Sequence, residues 1–240
     1  MSETAAIEGR LEAVRERIRA AAARAGRRPE EITLVGATKT QPTAAVVAAA
    51  RAGLASVGEN YVQEARSKIP KVQEKLEVLG DPVPRWHFIG RLQRNKARDV
   101  VRLFDVVETV DGVGLAAELD RRARGAERTL DVLLQVNLSE EPSKGGAACD
   151  ALPELVAACA DSPNLRTIGL MTIPALAPDP EANRPVYARL RELAETLGAA
   201  AGGEALRELS MGMSGDFEVA IEEGATIVRV GTAIFGVRDR

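Results

Sequence analysis

Cysteine is scarce in this 240-residue chain, with only Cys149 and Cys159 present, ten positions apart in an alanine-rich stretch. That spacing suits neither a disulfide framework nor a cysteine-based zinc set, so no metal site is expected and an ordinary core must supply stability. A chain of this length can do so by burying roughly 70–75% of its unfolded surface. Long apolar runs are missing as well. Ala44 to Ala50 is among the longest, far below the ~20 residues that cross a bilayer. The opening Met1-Ser2-Glu3-Thr4 lacks the basic segment followed by an apolar one that marks an export signal. A cytoplasmic protein without membrane contact is therefore expected. Neither sign of charge is in large excess, 32 Lys and Arg against 35 Asp and Glu leaving a net −3.

Aromatic residues are few, four Phe, two Tyr and one Trp, and this bears on nucleic acid. Arg91, Arg94, Lys96 and Arg98 form one basic cluster, and Arg121, Arg122, Arg124 and Arg128 another. Each covers only one or two helical turns and has little aromatic surface on which bases could stack, in a chain that is acidic overall. Solvated helix faces account for both, and no nucleic-acid partner is expected.

What the chain does have is alternation. Ile7, Leu11, Val14, Ile18 and Ala21 make a helical stripe that ends near Gly26, predicting a leading helix within residues 1–28. Short apolar runs then alternate with longer segments rich in Ala, Leu, Arg and Glu. The runs are Ile32 to Lys39, Ser56 to Asn60, Trp86 to Gly90, Val106 to Val110, Leu130 to Ser139, Leu165 to Pro174, Leu206 to Ser214 and Thr226 to Phe235. Helices are expected between them, at about 43–53, 61–79, 92–102, 112–124, 147–161, 181–200 and 216–223. Strict strand–helix alternation implies parallel strands joined by helical crossovers. Eight such units are the count of a (β/α)8 TIM barrel, whereas a doubly wound sheet more often has five to seven strands. No Gly-x-Gly-x-x-Gly follows any run, so a dinucleotide fold has no support. The expectation is one α/β domain over 1–240, with the barrel in 32–236 and no dividing linker.

In such a barrel, function gathers at the carboxyl ends of the strands. Lys39 follows Leu34-Val35-Gly36-Ala37 at one of them. Desolvation would favour its free amine, a nucleophile for Schiff-base formation. The same lysine could equally reach the rim and pair with a carboxylate such as Glu59. Near the other end of the chain, Ser210-Met211-Gly212-Met213-Ser214-Gly215-Asp216 and Gly231-Thr232 offer small residues, hydroxyls and backbone amides where barrels often bind phosphate. Ser214 or Asp216 could also simply cap the next helix. A phosphate cradle opposite a nucleophilic lysine suits a phosphorylated aldehyde, either pyridoxal 5′-phosphate or a sugar phosphate. Arg229 lies two residues before Gly231, so both face the same side of the barrel wall. A guanidinium cannot accept a proton, so beside a pyridine nitrogen it would keep that nitrogen unprotonated. A structural pairing of Arg229 with Glu59 or Glu108 stands as the alternative.

Trp86-His87-Phe88-Ile89-Gly90-Arg91-Leu92-Gln93-Arg94-Asn95-Lys96 closely resembles the signature of the pyridoxal phosphate homeostasis proteins, also called proline synthetase co-transcribed homologues. Further matches run along nearly the whole chain. They include Ala37-Thr38-Lys39-Thr40-Gln41-Pro42, Gly58 to Glu64, Gln135 to Leu138 with Ser143-Lys144-Gly145-Gly146, Gly169 to Pro174, Leu209 to Asp216 and Val228 to Gly236. The paired charges Arg91 and Arg94 depart from many relatives. The resemblance implies a barrel like the N-terminal domain of alanine racemase. It places Lys39 as the Schiff-base lysine, Arg229 at the pyridine nitrogen, and Ser214, Gly231 and Thr232 around the phosphate, with Ser210 and Asn60 as further cofactor-binding residues.

It also implies a protein that holds pyridoxal phosphate and regulates it or delivers it to apo-enzymes, without robust catalysis and as a monomer or weak dimer. A racemase of this type borrows a tyrosine acid from a second domain, and Tyr61 and Tyr187 read as helix-surface residues. His87 reads as a hydrogen-bonded packing residue that could alternatively donate a proton near the ring. A low-activity amino-acid racemase and a Schiff-base aldolase acting on a sugar phosphate are the two alternatives.

Overall fold

The apolar runs pair side by side in chain order, and in a computed structural model of the protein they close into one eight-stranded parallel barrel. The structure describes residues 3–139, 145–200 and 206–236, so Ser143 and Lys144 of the sequence motif lie outside the described residues. The strands are β1 (Thr33–Ala37), β2 (Ser56–Glu59), β3 (Arg85–Phe88), β4 (Val106–Val110), β5 (Leu130–Gln135), β6 (Leu165–Met171), β7 (Glu208–Ser210) and β8 (Ile227–Val230). The helices are α1 (Glu3–Arg24), α2 (Thr43–Arg51), α3 (Val62–Leu79), α4 (Ala97–Leu103), α5 (Val113–Gly125), α6 (Leu152–Ala160), α7 (Arg184–Ala200), α8 (Phe217–Glu222) and α9 (Thr232–Phe235).

Several strands stop earlier than their apolar runs do. The chain leaves the ladder at Ala37, so Thr38 to Thr40 form a turn, and it leaves again at Val230, so Thr232 to Phe235 coil into α9. Past Val230 the apolar character continues because Ala233, Ile234 and Phe235 of α9 pack on the main core, which apolar content alone cannot distinguish from strand.

Alternation along each strand sorts side chains between two environments. Outward residues such as Val57, Trp86, Phe88, Val107, Leu134, Val228 and Val230 pack against the helices in the main core. Inward residues stack in layers. Asp131 plugs the amino-terminal mouth, bridged by Arg85 and by Arg166 at 2.6 and 2.7 Å. Above it, Val35, Val106, Leu133, Met171 and Ile227 fill the middle with a separate apolar cluster. Above that the filling turns polar, with His87, Glu108, Ser210 and Arg229 all buried.

α1 is more than a leader. Its stripe of Ile7, Leu11, Val14, Ile18 and Ala21 is buried, and the helix packs on α2, α8 and α9 across the junction of the last unit with the first. Arg17 binds Glu218 on α8 at 2.7 and 2.8 Å, and Arg10 Nε donates to the Ile234 carbonyl of α9 at 2.7 Å. Leu11→Ala should cost about 2–5 kcal/mol by opening a cavity beneath α1. A shift in the denaturant midpoint with unchanged slope is the expected reading.

Candidate functional site

At the carboxyl ends of the strands, a cavity of about 330 Å³ brings together Lys39, Ser214, Gly215, Arg229, Gly231 and Thr232, walled on one side by Ala175 to Ala177. Five of these were expected from the sequence to act together: Lys39, Ser214, Arg229, Gly231 and Thr232. Larger recesses occur elsewhere. One of about 420 Å³ lies against α1, beside Thr33 and Ser56 at the starts of β1 and β2, and one of about 620 Å³ is lined by Asn60, Tyr61, Arg91 and Lys96. Neither contains the lysine or the glycine-bearing loops, and side-chain chemistry rather than size singles out the smaller cavity.

Lys39 stands half-buried in the turn after β1 and, among the described residues, has no carboxylate within ion-pair distance. The pairing with Glu59 does not form, because Glu59 takes Lys68 of α3 at 2.7 Å instead. Opposite Lys39, the Ser214 Oγ accepts from the Gly231 amide at 3.1 Å and faces the Ala233 amide at 3.5 Å. The backbone amides of Ser214, Gly215 and Thr232 donate to no partner among the described residues. Orphan amides, a serine hydroxyl and the Thr232 hydroxyl converging on one cavity fit an oxyanion of the phosphate kind. Gly212 makes the approach possible. Its φ of +89° lies in the left-handed region, and a Cβ there would come within 2.6 Å of Ala220 Cβ.

The Ser214 loop is held by Asp216, whose carboxylate accepts from the Met213 amide at 2.7 Å, Asn183 Nδ2 at 2.8 Å and the Tyr187 hydroxyl at 2.7 Å. Tyr187 is thus a correction to the sequence reading, since it is fully buried and not on a helix surface. Its spacing with Leu190 and Ala194, which are also buried, is the core stripe of α7, a signal legible in the sequence. Burial, followed by the Asp216 carboxylate, pushes the Tyr187 hydroxyl well above its ordinary range. Tyr61 is exposed as expected.

Ser210 and Asn60 occupy different places from the other candidates. Ser210 is buried in the wall behind the cavity, where its hydroxyl donates to Glu108 Oε2 at 2.6 Å and accepts from Arg229. Asn60 lines the neighbouring cleft. Arg229 also donates to the Thr172 carbonyl at 2.8 Å and lies 3.8 Å from Glu108. It therefore pairs structurally with Glu108 and also lines the cavity. His87 Nδ1 meets Glu108 Oε1 at 2.7 Å, consistent with a packing role, while its buried Nε2 has no partner among the described residues.

Burial pushes the Glu108 carboxyl up, but the hydrogen bond and charge of His87, the charge of Arg229 and the Ser210 hydroxyl outweigh it and hold the group below the usual carboxylate range. A carboxylate depressed in the folded state stabilises fully above its unfolded pKa and loses that contribution as pH falls through the folded value. Glu108→Gln should therefore be less stable than the parent near neutral pH and should lose less stability on acidification below about pH 4.5. Thermal unfolding across that range checks the sign.

Residues 10–239 match the family model described as alanine racemase, N-terminal domain. The pyridoxal phosphate homeostasis protein of Escherichia coli K12 is 46% identical over 234 residues, covering 95% of each chain. A crystal structure of an unknown protein from Bifidobacterium adolescentis superposes with a TM-score of 0.91 at 36% identity, covering 97% of this chain and 96% of that one. PipY of Synechococcus elongatus, solved with pyridoxal phosphate bound, gives a TM-score of 0.83 at 36% identity, covering 96% of this chain and all of the other.

Proposed function

This chain belongs to the pyridoxal phosphate homeostasis proteins, within the alanine racemase N-terminal domain family, and on that footing we propose that its rim cavity holds pyridoxal 5′-phosphate through Lys39. One observation carries the reading. A lysine without a carboxylate partner faces orphan backbone amides and two hydroxyls across a cavity of about 330 Å³, the donor set that an aldehyde bearing a phosphate requires. The bound cofactor supplies an aldehyde that condenses with a neutral amine, releasing water, and a pyridine ring that can draw electrons.

The protein's residues divide the work. Lys39 offers the amine. Ser214 and Thr232 take the phosphate, with charge-assisted hydrogen bonds worth about 1.5–3 kcal/mol each, and Gly231, whose amide holds the Ser214 hydroxyl, lines the same phosphate site. Arg229 uses two of its N–H groups on Ser210 and Thr172, and the remaining donors are free to face the ring nitrogen and keep a proton off it. Ser210 fixes Arg229 from behind, and Asn60 borders the site from the adjoining cleft.

Residues 1–240 act as one domain in the cytoplasm, as a monomer or weak dimer, holding the cofactor and regulating or delivering it to apo-enzymes that depend on it. Two observations favour this carrier over a racemase. Tyr187 is committed to Asp216, and Tyr61 is exposed outside the cavity. The aldolase reading has no support from relatives named for cofactor homeostasis.

Borohydride reduction of the loaded protein followed by peptide mapping should put the label on Lys39. A label mainly on Lys68, Lys71 or Lys96 refutes the reading. Ser214→Ala should weaken pyridoxal phosphate binding about tenfold while barely changing the affinity for pyridoxal. Equal losses for the two ligands would show that Ser214 does not meet the phosphate. Mixing loaded protein with an apo-enzyme while a scavenger removes free cofactor tests delivery.

A further inference from the structure

The turn that carries Lys39 is gripped from behind, on the side away from the cavity. Lys68 of α3 is only 6% exposed, and its ammonium donates to the Thr38 carbonyl at 2.7 Å, to Glu59 Oε1 at 2.7 Å and to Glu64 Oε1 at 2.5 Å. These three bonds use every donor the group possesses. Both carboxylates also reach the turn themselves. Glu59 Oε1 accepts from the Thr38 hydroxyl at 2.7 Å, and Glu64 Oε1 accepts from the Thr40 amide at 2.7 Å. The two neighbours of Lys39 are therefore each bonded to the same buried cluster.

Thr40 shows why such a grip is needed. Its φ of +63° lies in the left-handed region, an outlier for a β-branched residue, so the turn requires support from its surroundings. The cluster is itself costly. Two carboxylates meet one ammonium, Glu59 is fully buried with its second oxygen unpartnered among the described residues, and burial pushes its carboxyl up despite Lys68 and Thr38. Apolar residues of similar size would fill this space between β2 and α3 without that desolvation. What they could not do is hold a carbonyl and an amide on either side of one lysine.

We propose that Lys68, together with Glu59 and Glu64, is a positioning device that fixes the Thr38–Thr40 backbone so that the Lys39 amine projects into the rim cavity. The inference rests on the reading of Lys39 as the point of covalent attachment. Lys68 is a positioning residue in this scheme and never touches the cofactor.

The test uses the full chain in two variants, Lys68→Met and the double variant Glu59→Gln/Lys68→Met. The second also removes the fully buried charge that the first strands, leaving only the partly exposed Glu64 unpaired, and is expected to keep the fold intact. Three quantities are read: amide hydrogen exchange at Thr40 without cofactor, covalent capture of pyridoxal phosphate at Lys39 by borohydride reduction, and affinity for pyridoxine 5′-phosphate. That last ligand carries an alcohol in place of the aldehyde and reports on the phosphate cradle and the ring contacts without covalent attachment to Lys39. In the double variant, exchange at Thr40 should be at least about tenfold faster, capture at Lys39 should fall at least about tenfold, and pyridoxine 5′-phosphate affinity should stay within about twofold of the parent. Unchanged capture at Lys39 in the folded double variant overturns the proposal, and so does a parallel loss of capture and of pyridoxine 5′-phosphate binding. Failure of the parent protein itself to be captured at Lys39 would instead refute the reading of the cavity, while the cofactor-free exchange at Thr40 still decides whether the cluster holds the turn.

Discussion

A single carboxylate without solvent around it, Glu108, joins the upper layer of the barrel. Its oxygens meet His87 from β3 and Ser210 from β7, and Arg229 from β8 lies alongside. Glu108 itself stands on β4, so four of the eight strands contribute to one polar layer. Taking a carboxylate and a guanidinium out of water is expensive, and the arrangement persists because the hydrogen bonds and the opposite charge compensate for it. The consequence reaches the cavity. Arg229 is fixed by Ser210, Thr172 and Glu108, so it presents its remaining donors at the rim without having to be ordered when a ligand arrives.

The same design recurs around the cavity, where groups facing a ligand are oriented by groups that do not. Asp216 gathers Asn183, Tyr187 and the Met213 amide, thereby shaping the loop of Ser214. The Glu59–Lys68–Glu64 cluster does the equivalent for the turn of Lys39. α9, whose first turn borders the cavity, receives Arg10 of α1 on its Ile234 carbonyl. The leading helix is thereby linked to the site although none of its residues lines the cavity. A barrel gains this economy from its topology, because residues far apart in the chain reach one rim when the last strand closes on the first.

Much of this was legible in the sequence, for reasons that are local. Period-two apolar runs divided by amphipathic segments require parallel strands with helical crossovers, and eight of them nearly require closure. The glycine and serine content of 210–216 and 231–232, and a lysine placed after an apolar run, mark loops able to meet a phosphorylated aldehyde. The motif from Trp86 to Lys96 identifies the relatives. Strand ends were less legible, since apolar character continues past Val230 into Ala233, Ile234 and Phe235 of α9.

What only the tertiary structure decided is pairing. In the sequence Glu59 and Glu108 were both available to Arg229, and Glu59 also to Lys39, and nothing in their spacing says that Glu59 turns outward to Lys68 while Glu108 turns inward to His87 and Ser210. That Ser210 lies behind the cavity wall and Asn60 in the next cleft, apart from the five candidates that do share the cavity, was equally out of reach. The physical reason is that periodicity assigns a side chain to a face of its own strand or helix, whereas the partner it meets there is supplied by another segment. That choice follows from strand register and barrel closure, neither of which is written in any local stretch of the chain.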